Sequence, residues 1–206
     1  MIGKSVPRAQ LWLLLLTAMG ALASLINSPY PQLAPLQNLP TLALLATLWL
    51  ALWRWPLPTA AIACLCAFLL LHTLGGRYIY TFVPYDQWFA AIGLPTPREV
   101  FGLQRNAYDR LVHFSFGLLL TYPFATALRL HIGVRAAIAS YVAVEFVLAT
   151  SALYEIFEWG LTLMMAGADA EAYNGQQGDM WDAQKDMACA GLGALLTATL
   201  MWRRTR

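Results

Sequence analysis

Six long apolar segments constrain this chain more than any other feature of its sequence. A helix needs about 20 apolar residues to cross a bilayer, and about 17 suffice. The segments cover residues 9–26, 39–55, 57–74, 109–128, 134–165 and 183–202. Only 12% of the 206 residues are charged, whereas soluble domains have about 25%. The sequence therefore predicts an all-α polytopic membrane protein, a bundle of six transmembrane helices that forms a single integral membrane domain over residues 1–206.

The first apolar segment has a second interpretation as a signal peptide. Lys4 and Arg8 lie at its start, and Ala21-Leu22-Ala23 resembles a small-residue cleavage site. We interpret the segment as a retained helix, because every later segment is also a membrane span and no soluble mature domain follows. Cleavage after Ala23 would leave five spans and the same placement of the rest.

The net charge and the cysteines indicate which kinds of partner are expected. The net charge is only +2 and there is no block of Lys and Arg, so the sequence does not indicate nucleic-acid binding. The lipid bilayer is the expected environment. Cys64, Cys66 and Cys189 lie inside apolar runs, which indicates small core residues rather than disulfides or metal ligands. No feature of the sequence indicates an oligomeric state.

The connections between the spans differ in composition. Residues 27–38 are rich in proline and lack charge, which is typical of a turn or loop. Residues 77–108 form the longest polar connection, and their many aromatic side chains favour the membrane interface. We expect a short amphipathic helix there, over residues 85–92.

Lys and Arg set the expected orientation, since positively charged connections stay on the cytoplasmic side. Basic residues occur at both termini, at Arg54, and at Arg129 and Arg135. The acidic connection 167–181 has no Lys or Arg and belongs on the other side. The 77–108 connection carries three arginines and argues weakly against this assignment. The balance predicts a multi-pass protein of a bacterial inner membrane, with both termini in the cytoplasm.

This topology brings polar residues of three helices to the same depth at the periplasmic side. Within each helix the residues are three or four positions apart, which puts them on one helical face. The pairs are Asp109 and His113, Glu155 and Glu158, and Asp182 and Asp186, with Asp179 just before the last pair. Intramembrane ionisable clusters mark functional sites by default. The pattern therefore predicts one polar site built from three helix ends.

So many acids in one place repel each other unless protons, basic groups or a bound cation compensate them. Carboxylates with one imidazole suit Mg²⁺ or Mn²⁺, and less well Fe²⁺ or Zn²⁺. We therefore predict a divalent-metal site and no organic cofactor. His113 is a ligand or general base, and Glu158 shares the catalytic role. The candidate metal ligands are Glu155, Glu158, Asp182, Asp186, His113, Asp179 and Asp109.

Two alternatives to the metal site stay open. The acids can instead form an interhelical network of hydrogen bonds and ion pairs at a wet helix end, where carboxylates cost little. Asp109 and Asp179 can also be solvated helix caps.

Glu145 lies near mid-depth, off the face of the other acids. It can pair with His72 or a tyrosine, contribute to a proton path, or be a protonated, hydrogen-bonded buried carboxyl. His72 itself is expected only to cap the third span.

Three motifs resemble those of the YjdF-type bacterial inner-membrane proteins. They are Tyr108-Asp109-Arg110-x-x-His113-Phe114, Tyr154-Glu155-x-x-Glu158-Trp159 and Gly178-Asp179-x-x-Asp182-x-x-x-Asp186. The resemblance covers nearly the whole chain, in length, layout and all three motifs. It implies an inner-membrane location and a six-span topology rather than a particular activity.

A fainter similarity links the chain to VanZ-like membrane proteins, which are associated with glycopeptide-antibiotic resistance. Asp109, Arg110 and His113 match their D-K/R-x-x-H motif. Glu158 stands where those proteins have Gln, and Asp186 stands where they have Asn. Both departures add a negative charge, which favours a cation site in this chain.

The favoured function is that of a small membrane-embedded enzyme, a metal-dependent hydrolase or transferase acting on a lipid or lipid-linked envelope substrate. The alternatives are a cation- or proton-handling transport protein and a non-catalytic membrane partner. An enzyme predicts a lateral opening to lipid with a dead end below it. A transporter predicts polar groups that continue through Glu145. A scaffold predicts acids that are neutralised within the protein, without a cavity.

Overall fold

A computed structural model of the protein describes residues 6–164, 167 and 175–203. Over these residues the secondary structure is helical, without strands, which confirms the predicted all-α class. One turn of π-helix, Leu128–Ile132, continues α6. The helices are α1 (Arg8–Leu25), α2 (Ala34–Arg54), α3 (Thr59–Arg77), α4 (Tyr85–Ala91), α5 (Pro97–Phe101), α6 (Tyr108–Ala127), α7 (Ala136–Thr162) and α8 (Asp182–Arg203).

Some sequence predictions fall outside this description. The basic residues Lys4, Arg204 and Arg206 lie outside the described residues, as do residues 168–174 of the predicted acidic connection and the last residue of the predicted span 134–165.

Five helices are long and apolar enough to cross a membrane. They are α1, α2, α3, α6 with its π-helical turn, and α7. The sixth predicted span corresponds to α8, which has 22 residues. It does not reach the same apolar character, because Asp182, Lys185 and Asp186 occupy its first two turns. The structure therefore shows a multi-pass helical protein with five candidate spans.

The long helices pack as two groups. α1, α2 and α3 pack around a core that includes Leu14, Leu45 and Ile62. α6, α7 and α8 pack around Val147, Ala190 and Ala194. The contact between α3 and α6 joins the groups. Cys66 lies in the first core, as predicted, whereas Cys64 and Cys189 are only partly buried.

Several helix boundaries differ from the prediction by two to five residues, among them the start of α2, the end of α3 and both ends of α7. α2 begins at Ala34, so the expected loop over residues 27–38 is wrong for its last five residues. Pro35 lies in the first turn of α2, where its missing N–H would have no intrahelical partner and proline is tolerated. α3 extends to Arg77, three residues beyond the prediction. Its end is fixed because the Arg77 guanidinium donates to the carbonyl oxygens of Ser24 and Ile26 at 2.8 and 2.9 Å, at the end of α1.

The connection between α3 and α6 contains two short helices. α4 matches the helix predicted over residues 85–92. α5 was not predicted, although Thr96 and Glu99 form a capping box at its start. The signal was present in the sequence, because Thr followed three residues later by Glu is the usual pattern of this cap.

α6 and α8 approach each other at backbone distance. Gly117 of α6 lies against the backbone of Ala190, and Gly193 of α8 lies against the backbone of Phe114. A Cβ atom on either glycine would overlap backbone atoms of the facing helix. The Thr197 hydroxyl adds a hydrogen bond to the carbonyl oxygen of Leu118 at 2.6 Å. Small residues allow helices to approach this closely, and the contacts hold α6 and α8 side by side near their middles.

Candidate functional site

The predicted acidic residues meet where α6 begins, α7 ends and α8 begins. They form two layers with different surroundings. The layer nearest the helix ends, called the rim below, contains Arg105, Asp109, Arg110, Asp179, Asp182 and Lys185. The layer about one helical turn deeper, called the inner cluster, contains His113, Glu155, Glu158 and Asp186.

In the rim, every aspartate is paired with a basic side chain. The Arg105 guanidinium bridges Asp109 on α6 and Asp182 on α8. Arg110 Nη2 is 2.5 Å from Asp179 Oδ2 and 3.4 Å from Asp182 Oδ1. Lys185 Nζ donates to Asp179 Oδ2 at 2.6 Å. These pairs tie the beginning of α8 to the beginning of α6 and balance most of the rim's charge.

Asp179 is the rim aspartate that lies outside the helices. The hydrogen bond from Lys185, helped by those from the Trp181 backbone N–H and Arg110, lowers the pKa of Asp179 from its ordinary 3.8 to about 2. Its Oδ1 atom accepts from the Trp181 N–H at 3.1 Å, one turn before α8 is established. Asp179 is therefore held in the rim by its ion pairs to Arg110 and Lys185 and by a local hydrogen bond in the turn that precedes α8.

Arg105 is a site residue that the sequence analysis did not identify. It lies in the connection before α6, and its side chain is 10% exposed. A signal was available, because Arg105 and Asp109 are four positions apart, the same spacing that linked Asp109 to His113. Arg105 lies ahead of the first residue of α6, Tyr108, so the helical spacing rule did not draw attention to it.

The inner cluster has few basic neighbours. His113 Nε2 is 3.3 Å from Glu155 Oε1. Among the described basic side chains other than histidine, the ion pair to this cluster is from Arg110 Nε to Asp186 Oδ1, at 3.9 Å. Glu155 Oε1 and Asp186 Oδ1 are both buried without a hydrogen-bond donor in this part of the structure. Buried carboxylate oxygens in this state are costly unless something else neutralises them.

The geometry gathers potential metal ligands. One ligand atom from each of His113, Glu155 and Asp186 lies within 4.8 Å of the others. Ligands about 2.0–2.6 Å from one ion are up to about 4–5 Å apart, so these three atoms can share a cation. A second group, Asp109, Asp182 and Asp186, meets the same limit. Two of its three carboxylates, those of Asp109 and Asp182, already form ion pairs with Arg105. The group that contains His113 is therefore the better candidate for a metal site.

The other predicted ligands have different positions. Asp179 is outside both groups, in the rim. Glu158 is also outside both groups of described residues, but it lines the cavity next to His113 and Asp186. Ser151, which was not predicted, has its hydroxyl 3.3 Å from His113 Nδ1. If the imidazole proton is on Nδ1 and is donated to Ser151, Nε2 is left as the ligand atom on the side of Glu155.

A cavity of about 320 Å³ opens beneath the inner cluster. Asp109, His113, Glu158 and Asp186 line its polar end. The rest of its wall is mainly apolar and includes Leu44, Phe68, Leu69, Val112 and Phe116. The cavity thus lies between the two helical groups, with polar chemistry at one end and hydrocarbon along its walls.

His72 and Tyr80 form a second polar contact in the cavity wall. His72 Nε2 is 3.2 Å from the carbonyl oxygen of Gln37, and its Nδ1 is bonded to the Tyr80 hydroxyl. Because α3 continues five residues beyond His72, the expectation that it caps the span is wrong. Tyr80 is turned back by the left-handed backbone of Ile79 and Tyr80, with φ of 44° and 54°. Its ring packs where Gly75 has no Cβ.

Glu145 is not part of this arrangement. It is exposed on α7, whereas His72 is bonded to Gln37 and Tyr80. The proposed pairing with His72 and the buried, hydrogen-bonded carboxyl are therefore both wrong. The helical phase explains the result, because the adjacent Val144 and the nearby Val147 take the buried positions on this helix.

Comparison with known proteins agrees with the motifs. Residues 9–206 match the family described as "Predicted membrane protein (DUF2238)". The chain is also 36% identical over 151 residues to "Inner membrane protein YjdF" of Escherichia coli (strain K12). That alignment covers 73% of this chain and 68% of the relative. No solved structure matches the chain. The protein belongs to the DUF2238 family of predicted membrane proteins, the YjdF-type family that its three motifs resemble.

Proposed function

We propose that this protein is an inner-membrane metalloenzyme, a hydrolase or transferase that acts on a lipid or lipid-linked envelope substrate. His113, Glu155 and Asp186 hold a divalent cation, Mg²⁺ or Mn²⁺ in preference to Fe²⁺ or Zn²⁺. α8 is the sixth span, both termini are cytoplasmic, and the site faces the periplasm. The E. coli relative, whose name places it in the inner membrane, supports the location.

The observation that carries the proposal is the contrast between ligands and neutralising groups. Three ligand atoms from three helices lie within 4.8 Å of one another. Two of their oxygens are buried and accept no hydrogen bond within the described structure. A divalent cation would supply the missing positive charge at that position. It would also polarise a phosphoryl or carbonyl oxygen and lower the pKa of a bound water.

The surrounding residues have definite tasks in this proposal. Ser151 fixes the His113 ring through Nδ1, as the second shell of a metal site commonly does. Glu158, in the cavity wall beside His113, is placed to accept a proton from the attacking water or hydroxyl group. The rim arginines hold α6 and α8 in register, so that the ligands of the two helices remain together.

The alternatives are less well supported. A proton or cation path through Glu145 requires that residue to continue the cluster, but it is exposed on α7. The cavity lining ends near Leu44, Phe116 and Thr150, each eight to twelve residues from its helix end. At about 1.5 Å per residue this is roughly 12–18 Å, about half of a ~30 Å hydrocarbon core. A purely structural network would leave neither the cavity nor the unpaired oxygens.

Metal analysis of purified protein tests the proposal. We expect about one divalent ion per wild-type chain and loss of that ion in Asp186→Asn, which keeps the shape of the side chain but removes its charge. The matched control is Asp86→Asn, because Asp86 is paired with Arg98 in the connection before α6. It should bind metal like the wild type. Wild-type protein that contains no metal and binds none on titration would refute the metal site.

The enzymatic part has its own test. Metal-loaded wild-type protein and Asp186→Asn are incubated with a total bacterial lipid extract, and the products are compared by mass spectrometry. We expect products that require both the metal and Asp186. If a metal is bound but both proteins leave every lipid unchanged, the site is not the centre of a lipid-directed enzyme.

A further inference from the structure

The two helices that flank the cavity on one side do not touch each other. α2 contributes Pro40 and Leu44 to the wall, and α7 contributes Thr150, Ser151 and Tyr154. Yet, within the described residues, α2 packs only on α1 and α3, and α7 packs on α6, α8 and the π-helical turn. The cavity therefore lies behind a gap between two membrane-crossing helices. Such a gap opens sideways, toward lipid.

The residues at this gap suit a hydrocarbon ligand. Leu44 lines the cavity and is 58% exposed, so it stands at the boundary between the cavity and the outside. Phe68, Leu69 and Phe116 continue the apolar wall inward. The volume of about 320 Å³ is at the lower end of the range of small-molecule pockets, about 300–1,000 Å³. That volume suits one chain segment rather than the two chains of a complete diacyl lipid.

From these features we infer that the cavity binds one hydrocarbon chain of a lipid phosphate, which enters from the bilayer between α2 and α7 and places its phosphate at the His113–Glu155–Asp186 centre. The phosphate assignment rests on the proposed metal, because a hard divalent cation prefers anionic oxygen ligands. The chain assignment rests on the cavity and the gap alone. The two parts can therefore be tested separately.

The probes are two single-chain lipids that differ only in the headgroup, oleoyl lysophosphatidate and monooleoylglycerol. Their binding to purified protein in detergent is measured by native mass spectrometry, together with the metal content of each sample. Leu44→Trp places a large side chain in the gap at an already exposed position. Leu50→Trp is the matched control, since Leu50 is also on α2, is 69% exposed and is not among the cavity-lining residues.

We expect Leu44→Trp to weaken binding of both lipids about tenfold or more while the metal content stays at the wild-type level. Losing contact with even two methylene groups has an effect of this size. Leu50→Trp should bind as the wild type does. In wild-type protein, lysophosphatidate should bind more tightly than monooleoylglycerol, and Asp186→Asn should abolish that difference.

The outcomes separate the two proposals. Equal lipid binding in Leu44→Trp and Leu50→Trp would overturn the chain site, whatever the metal content. Chain binding that Leu44→Trp blocks, without any metal and without a preference for phosphate, would confirm the chain site and overturn the phosphate contact together with the metal centre. Binding of metal without binding of either lipid would leave the metal site standing and remove the lipid assignment.

Discussion

The rim and the inner cluster are built from similar side chains, only about one helical turn apart, yet their surroundings differ. Each rim aspartate meets an arginine or lysine. The inner acids meet a histidine and one arginine atom at 3.9 Å. A paired carboxylate contributes to structure, whereas a buried carboxylate without enough positive charge requires a cation or a proton. The comparison shows that acidic residues so close together in the sequence can have two roles.

The strongest test of the comparison removes a cation from the rim. Arg105→Gln leaves Asp109 and Asp182 without their shared partner, and the three side chains are 10%, 14% and 5% exposed. Breaking a buried pair in this way costs about 3–5 kcal/mol. We expect a loss of this size in the free energy of unfolding, measured in detergent with increasing SDS.

Arg98→Gln is the control for this experiment. Arg98 pairs with Asp86 at 3.4 Å, but its side chain is 56% exposed, so its loss should cost about 0–1 kcal/mol. Adding Asp182→Asn to Arg105→Gln should recover part of the stability, because it removes one of the stranded charges. Equal effects of Arg105→Gln and Arg98→Gln would show that the rim is not a buried ion-pair network.

The next largest effect should come from separating α6 and α8, on which both layers depend. Gly117→Ala forces a methyl group into the backbone of Ala190. Overpacking of this kind costs about 1–3 kcal/mol, and here rigid backbone rather than a flexible side chain must move. We expect lower stability together with weaker metal binding, as the ligands on the two helices move apart. Gly160→Ala, in open space on α7, should leave metal binding unchanged and should not lower stability, because alanine favours a helix more than glycine does.

A smaller change should affect the inner cluster and leave the rim intact. Ser151→Ala removes the hydroxyl that faces His113 Nδ1 at 3.3 Å. Loss of such a second-shell partner lowers metal affinity about 10–100-fold. Ser140→Ala, on the same helix and away from the site, is the control in a competition titration with a metal-chelating dye. An unchanged metal affinity in Ser151→Ala would mean that the hydroxyl does not orient a ligand.

The smallest predicted effect is the acid dependence of the rim. The pKa of Asp179 is lowered from 3.8 to about 2, so its ion pairs contribute fully above pH 3.8 and are lost as the pH falls toward 2. The difference in stability between wild type and Asp179→Asn should be constant from pH 7 to about pH 4 and should shrink below that. A difference that already declines between pH 7 and pH 5 would contradict the assigned ion pairs.

The sequence predicted much of this arrangement because helical periodicity is a local property. Asp109 and His113 are four residues apart, as are Asp182 and Asp186. Each pair therefore lies on one face of its helix, whatever the fold of the chain. Counting the spans then placed three helix ends at the same depth. Arg105 was missed because it approaches the site from a connection, where no periodicity applies. The His72–Tyr80 contact depends on two left-handed residues, Ile79 and Tyr80, which no helical or strand pattern predicts.

The cavity was beyond sequence analysis for a different reason. It exists because α2 and α7 both line it without packing on each other, and that is a property of the whole bundle. Glu145 is a second case in which helix packing decides what the sequence alone does not predict. The helical spacing placed Glu145 off the face of the other acids, but whether that side of α7 is covered depends on how the neighbouring helices pack.

The rim also bears on how the protein is made. α8 emerges from the ribosome after α6 and α7, and its first turns carry Asp182, Lys185 and Asp186. Charged residues of this kind hinder the transfer of a helix from the translocation channel into lipid. By then Arg105 and Arg110 have already been synthesised, and they are the groups that pair with Asp182. In the proposed six-span topology, α8 would gain its polar partners in the same step that brings Asp186 to His113.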